Sequence, residues 1–395
     1  MKILHTSDWH LGQNFMGKSR KEEHEAFFSW LLEQIKVEKI DVLIVAGDIF
    51  DTGTPPNYAL ELYFNLLKQL SSLTYLTTII TAGNHDSVAK LNAPKQLLKV
   101  LNIHVVTSGN EDDEQVIPIY KNNKLEAVVC AVPFLRDFVV RNAVSGEGSK
   151  DKEILLNSGI KAHYQKVHKE ALTLMDNNNI PIIATGHLTT VGSRTSESER
   201  EIYIGGTLDI GSDFLGKEFD YVALGHLHHN QKVGVNHVRY SGSPIALGFS
   251  EAKSVKKVNI VTFENKKVEV KELEIPLFQP LLLLKGNLEK VKEQLVKIED
   301  KSTWIEVQLQ DDNPSYANQV IRELAHSLEL TLLAVKIDKS EKILQSKVFK
   351  VLSLDELSVD EVFEKRLELE ALESNDFKKE LLLTFKKVIE KVENA

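Results

Sequence analysis

Short apolar runs bounded by Gly, Asn, Asp or Pro alternate with segments of helical periodicity through the first 275 residues. The runs predict strands at Lys2–Thr6, Asp41–Ala46, Thr77–Thr81, His104–Val106, Ala127–Val132, Pro181–Thr185, Tyr221–Leu224 and Val238–Tyr240, with later β-rich stretches at Val258–Phe263 and Lys267–Glu274. Helices are expected near Lys21–Val37, Tyr58–Leu70 and Pro94–Leu101, and from Lys152 to Met175. The order is that of an α/β fold with a more antiparallel second half.

Ile275–Pro280 (IPLFQP) holds two prolines in six residues and reads as a linker. Beyond it, strands at Leu281–Leu284, Trp304–Leu309 and Thr331–Ile337 alternate with helices at Leu288–Ile298 and Tyr316–Leu328, a β-α-β-α-β unit about half the usual domain size. From Glu341 onward, 23 of 55 residues are charged and none is Gly or Pro. Two amphipathic helices fit this tail. One opens at the capping box Ser358-Val-Asp-Glu361 and buries Val362, Phe363, Leu367 and Leu369; the other carries Phe377, Leu381, Phe385, Val388 and Val392 on one stripe. The expected regions are therefore 1–275, 281–340 and 341–395.

Composition narrows the class. With 42% hydrophobic and 27% charged residues in 395, the chain can build cores and is not disordered over most of its length. No apolar run approaches the roughly 20 residues that cross a bilayer, and the N-terminus turns polar after four residues, so no secretory signal is expected. The single cysteine, Cys130 in AVVCAVP, excludes an intrachain disulfide and suits a buried strand in a reducing cytoplasm. A net charge of −9 argues against gripping nucleic acid by an overall field, but leaves room for local basic loops or bound cations. Twelve of the 13 histidines precede residue 240, so imidazole chemistry belongs to the first region.

Five segments behind predicted strands present Asp, Asn or His where the chain turns: Asp8-Trp9-His10, Gly47-Asp48, Gly83-Asn84-His85-Asp86, Gly186-His187 and Gly225-His226-Leu227-His228. In α/β sheets, ligands bind beyond the carboxyl ends of strands, where such loops converge. A solitary D-x-H or GD is more often a surface turn or a helix cap than a ligand. The joint occurrence, in order and each behind a strand, favours a metal site. Carboxylate, imidazole and amide oxygen together suit Mn²⁺, Fe²⁺ or Zn²⁺. Seven potential ligands exceed what one ion takes and fit two ions sharing a carboxylate, the site type that cleaves phosphate esters with ions about 3.5–4 Å apart.

The set D-x-H, GD, GNHD, GH, GHxH resembles the calcineurin-like metallophosphoesterase superfamily. GDIFDTGTPP, AGNHDSVAKLN, ATGHLTTVG, ALGHLHH, RYSGSPIALGFSE and the tail LDELSVDEVFEKRLELE resemble its SbcD family of bacterial DNA-repair nuclease subunits, over essentially the whole chain. The resemblance implies a metallophosphoesterase β-sandwich flanked by helices, followed by a small α+β capping domain and a C-terminal helical tail. It implies that Asp8, His10 and His228 bind one ion, that Asn84, His187 and His226 bind the other, and that Asp48 bridges them, with Mn²⁺ the expected species. His85 would stand beside the scissile phosphate as general acid or positioning group, and Asp86 would orient its ring. Archaeal and eukaryotic relatives carry a His three residues after the bridging Asp, where this chain has Asp51.

The residues themselves justify phosphate-ester hydrolysis; the resemblance makes the substrate DNA, cut as a double-strand exonuclease and a single-strand or hairpin endonuclease. It also implies a homodimer and a partner ATPase of the SbcC type with a long coiled coil, together a heterotetramer in the cytoplasm with no membrane. Lys18, Arg20, Lys21, Arg194 and Arg200 either meet a phosphate backbone or are solvated loop charge. Tyr58–Leu70 is apolar around most of its circumference, which fits a subunit contact or a helix enclosed in its own domain. His24, His163 and His168 read as solvated helix residues, His5 and His104 as strand packing, and His229 and His237 as near the site in sequence only.

Overall fold

The structure, a computed structural model, describes residues 1–337 apart from 111–112, 141–148, 176–177, 191–192, 194–198, 200–210, 265 and 312; beyond 337 it describes Leu381, Thr384 and Phe385. The tail helices expected at Ser358 and Phe377 lie outside the described residues apart from Leu381, Thr384 and Phe385, which are helical, and Arg194 and Arg200 lie outside them too. Met1–Ile337 form one compact unit.

Two six-stranded sheets make the body. The first runs Lys267–Glu274, Lys257–Glu264, Lys2–Thr6, Val42–Ala46, Thr77–Thr81, Ile103–Val106, and its last four strands are parallel. The second runs Gln231–Val233, Val235–Tyr240, Tyr221–Gly225, Ile182–His187, Lys124–Cys130, Val116–Lys121, parallel in the middle and antiparallel at both edges. The period-two alternation explains the layering. Ile3, Val42 and Ile44 face Ile183, Tyr221 and Ala223 of the second sheet, while Leu4, Leu43 and Val45 turn to the other side. That outer side is covered by helices Lys21–Val37 and Asn57–Ser71. Helices Ser149–Met175 and Ser212–Glu218 cover the second sheet. Both faces of each central strand are buried, so these strands read as continuous apolar runs.

The small unit forms as its periodicity predicts. Strands Leu281–Gly286, Trp304–Leu309 and Thr331–Ile337 lie parallel, with helices Leu288–Val296 and Pro314–Ser327 sealing one core. Asn287 and Asn313 cap those helices through their side chains. Leu281 and Trp304 also pack on Phe15 and Phe249 of the body.

Two expectations change, and an edge strand joins those expected. Val116–Lys121 is a strand despite Pro118, because it is the outermost strand of the second sheet, where a missing N–H costs no ladder bond. Ile275–Pro280 is a packed strap: Ile275 joins the first core, Phe278 packs against it, and the Gln279 amide donates to Ser302 O at 2.7 Å. His24 is fully buried and its Nε2–H donates to Trp9 O at 2.7 Å, so it is a core group beneath the first loop. Burial pushes its pKa down to about 4. Among the described residues, no helix is long and apolar enough to cross a membrane.

Candidate metal centre

Every candidate ligand sits at the carboxyl end of a parallel strand. Asp8 and His10 follow Lys2–Thr6, Asp48 follows Val42–Ala46, and Asn84 and His85 follow Thr77–Thr81; His187 ends Ile182–His187, and His226 and His228 follow Tyr221–Gly225. Turning these loops inward strains the backbone. Asp8, His10, Asp48 and His226 all have positive φ, at 54°, 48°, 50° and 96°, each costing of order 1–3 kcal/mol unless the surroundings impose it. Here amides impose it: Asp8 N–H donates to Gly47 O and His10 N–H to Asp48 O, both at 3.0 Å.

Glycines permit the close approach. A Cβ at Gly83 would stand 2.1 Å from Asp48 Oδ1, and one at Gly225 only 1.8 Å from Ala46 O on the opposite sheet. These two glycines are therefore packing requirements between strand ends.

The side chains gather into two neighbouring groups. Ligand atoms of Asp8, His10 and His228 lie within 4.8 Å of one another, and so do those of Asp48, His187 and His226; all six residues are buried. Asp48 lies between the groups, with Oδ2 3.2 Å from His187 Nε2 and 3.6 Å from His10 Nε2. Asn84 Oδ1 is 3.0 Å from His187 Nε2. His10, Asp51 and His85 form a third, overlapping group.

Surrounding hydrogen bonds orient the rings. His187 donates Nδ1–H to Ala46 O at 3.0 Å, which aims Nε2 at Asp48 and Asn84. His10 Nδ1 lies 3.2 Å from Asp51 Oδ1, and its Nε2 is buried without a hydrogen-bond partner. An orphaned imidazole nitrogen between two carboxylates is the arrangement that a bound cation satisfies. Asp8 is held on both oxygens: His226 N–H donates to Oδ1 at 2.9 Å and Ser7 Oγ–H to Oδ2 at 2.5 Å, with Ser7 in turn 2.7 Å from Ser241 Oγ.

The charges behave as a site built for cations. Burial opposes a charge on His187, but Asp48 beside it outweighs that and carries its pKa up to about 9. Burial likewise opposes the Asp48 carboxylate, yet His187 holds it well below the usual range. Burial pushes Asp8 up and His226 well down. Protons thus stand in for positive charge at the Asp48–His187 pair.

His85 and Asp86 depart from their expected pairing. The Asp86 carboxylate accepts from Gly83, Ile49 and Phe50 N–H at 2.8, 3.1 and 2.9 Å, tying the GNHD turn to the GD loop. The His85 ring instead bonds through Nδ1 to the Asp51 carbonyl at 2.7 Å, while its amide donates to Asp48 Oδ1 at 2.9 Å. Burial and the Asp48 charge push Asp86 up to about 6, against the pull of the three amides. Arg20 is no backbone-gripping loop charge either. It is buried, paired with Glu23 at 2.5 Å and stacked 4.8 Å over Phe15, whereas Lys18 and Lys21 are exposed. Sequence reasoning missed Ser7, Ser241, Glu251 and Lys256; the last two back His228, and no spacing rule marks them.

Residues 1–230 match the family model described as calcineurin-like phosphoesterase, and residues 277–371 match the one described as type 5 capsule protein repressor C-terminal domain. The chain is similar to the D subunit of the SbcCD nuclease of Escherichia coli K12, at 42% identity over 389 residues, 95% of this chain and 94% of that one. It is 32% identical to the protein of the same name from Bacillus subtilis over 337 residues, 83% of this chain and 82% of that one. Among solved structures, a dimetal phosphatase from Danio rerio aligns over 69% of this chain and 98% of its own, at 10% identity and a TM-score of 0.41.

Proposed function

The chain belongs to the calcineurin-like phosphoesterases, in the family of SbcCD nuclease D subunits, and from that premise we propose how its buried seam works. The chain is a phosphodiesterase and the nuclease subunit of an SbcCD-type complex. Its substrate is DNA, cut from double-strand ends and at single-stranded or hairpin positions during repair and recombination in the cytoplasm. The observation that carries the site reading is the adjacency of the two ligand groups across Asp48, with His10 Nε2 buried and unpartnered.

Asp8, His10 and His228 would hold one divalent ion, Asn84, His187 and His226 a second, and Asp48 would touch both; Mn²⁺ suits this oxygen and imidazole set. The chemistry such ions supply when bound is a water of lowered pKa and offset of charge on the phosphate oxygens. The protein supplies the rest. His187 and His10 are aimed by Ala46 O and Asp51, so their Nε2 atoms need no reorientation. His85 commits its Nδ1 proton to Asp51 O, so proton exchange with the leaving oxygen falls to Nε2. Asp86 serves this residue indirectly, by bracing the turn that carries it.

Residues 281–340 would cap the nuclease body, and residues 341–395 would dock an SbcC-type ATPase near the root of its coiled coil. Helix Asn57–Ser71 would join two copies of this chain; Phe64 on it is 45% exposed although the helix buries six residues inward. The deciding experiment is Mn²⁺-dependent cleavage of hairpin and linear duplex DNA, with and without the ATPase subunit, against nucleotide monoesters. Turnover of monoesters with DNA untouched would replace the nuclease with a small-molecule phosphatase on the same scaffold.

A further inference from the structure

The ring of His228 is backed by the Glu251–Lys256 ion pair, whose side chains are 0% and 10% exposed. Glu251, in the single turn Phe249–Glu251, is 0% exposed, and its Oε1 lies 3.5 Å from His228 Nδ1. Its other oxygen takes Lys256 Nζ at 2.5 Å and Leu247 N–H at 3.2 Å. Lys256 Nζ also donates to His228 O at 3.1 Å and to Ser243 Oγ at 2.8 Å. The Lys256 ammonium thus holds both the backbone of His228 and the carboxylate facing its ring. A largely enclosed Glu–Lys pair is costly to desolvate, and apolar residues of similar volume often serve stability as well or better. Its placement against a candidate ligand calls for a use.

We propose that Glu251 is a positioning residue for the first ion: it accepts the Nδ1 proton of His228, fixes the neutral tautomer with Nε2 toward Asp8 and His10, and raises the basicity of that nitrogen. Lys256 keeps Glu251 ionised and locked in place. The general logic is that a histidine ligand is oriented by the acceptor on its other nitrogen. Against a purely structural pair stands the geometry, since the pair packs on a ligand ring and on that ligand's own carbonyl.

This inference rests on the two-ion reading, and the experiment separates the two. Mn²⁺ is titrated into the metal-free full-length protein by calorimetry, and the loaded protein is examined by electron paramagnetic resonance for the coupled two-ion signal. If the wild type does not bind two ions, the two-ion reading itself is wrong. If it does, Glu251→Gln is expected to bind the second ion normally, to lose 10- to 100-fold in affinity at the first, and to show a larger uncoupled signal at equal Mn²⁺. The double variant Glu251→Gln/Lys256→Met leaves no lone buried charge, and it remains informative if the single variant does not fold. It should show the same weakened first site. Wild-type affinity and coupling in either variant would overturn the proposal, because Glu251 would then serve only to neutralise Lys256.

Discussion

The two sheets bring unequal chemistry to the seam. The first supplies the carboxylates Asp8, Asp48 and Asp86, with Asn84 and one candidate imidazole, His10; the second supplies His187, His226 and His228 and, from its strand ends, no ligand carboxylate among the described residues. Neither half is charge-balanced alone. Where the halves meet, Asp48 and His187 become a mutual ion pair; away from that contact, burial instead pushes Asp8 toward its neutral form and His226 toward its own. A phosphoesterase site on this fold is thus a property of docked sheets, and strand-end geometry matters as much as ligand identity.

The most direct way to break the contrast is to remove its hinge. Asp48→Ala deletes the group shared by both halves and should abolish nuclease activity, with bound metal falling at both positions by elemental analysis. Full metal occupancy in that variant would refute the bridging assignment. His85→Ala tests the opposite case, a first-sheet residue assigned to the substrate and not to the ions. Both metals should stay while cleavage drops about 10²–10⁴-fold, the usual range for a lost general acid. Loss of metal with the fold intact would make His85 a ligand, a possibility kept open by its grouping with His10 and Asp51.

Gly225→Ala attacks the approach of the sheets and not their chemistry. The added Cβ would meet Ala46 O at 1.8 Å, backbone that cannot swing aside. Overpacking of this kind should cost about 3 kcal/mol in denaturant unfolding, with metal affinity reduced because Asp48 and His187 are parted. An unchanged midpoint would mean the seam tolerates separation.

Much of this was legible in the sequence. The small unit followed from periodicity alone, since Leu281–Gly286, Trp304–Leu309 and Thr331–Ile337 have simple apolar faces and capped helices between them. The candidate ligand set is legible as glycine-flanked polar residues behind strands, because few other needs place that combination there. Residues whose role depends on a distant partner were not legible. Arg20 and His24 look like surface charge until Phe15, Glu23 and Trp9 enclose them. Glu251 looks like any helix-end acid until His228 reaches it from a strand end and Lys256 closes on it from just downstream. Asp86 was matched to the ring beside it in sequence, yet it serves amides 37, 36 and 3 residues away.

The smallest effect concerns a seam histidine that meets no carboxylate. His5 lies on Lys2–Thr6, fully buried, and bridges to the second sheet: Nε2–H donates to Leu224 O at 3.1 Å, and Nδ1 accepts from Tyr221 Oη–H at 2.9 Å. Burial drives its pKa down to about 3, opposed only by the Leu224 carbonyl, whereas His187 a short way along the same seam rises to about 9 beside Asp48. The sign follows from proton counting. Between the unfolded value of 6.5 and the folded value near 3, the unfolded chain binds the proton and the fold does not, so stability falls as pH drops through that window. Going from pH 7 to pH 5 should cost about 2 kcal/mol from this group alone. Denaturant unfolding of metal-free wild type and His5→Gln at both pH values isolates the contribution, because other titrating groups are common to the pair. The variant should lose about 2 kcal/mol less than the wild type over that interval. Equal losses would show that His5 accepts a proton within the fold, and that the seam is more hydrated around it than its enclosure indicates.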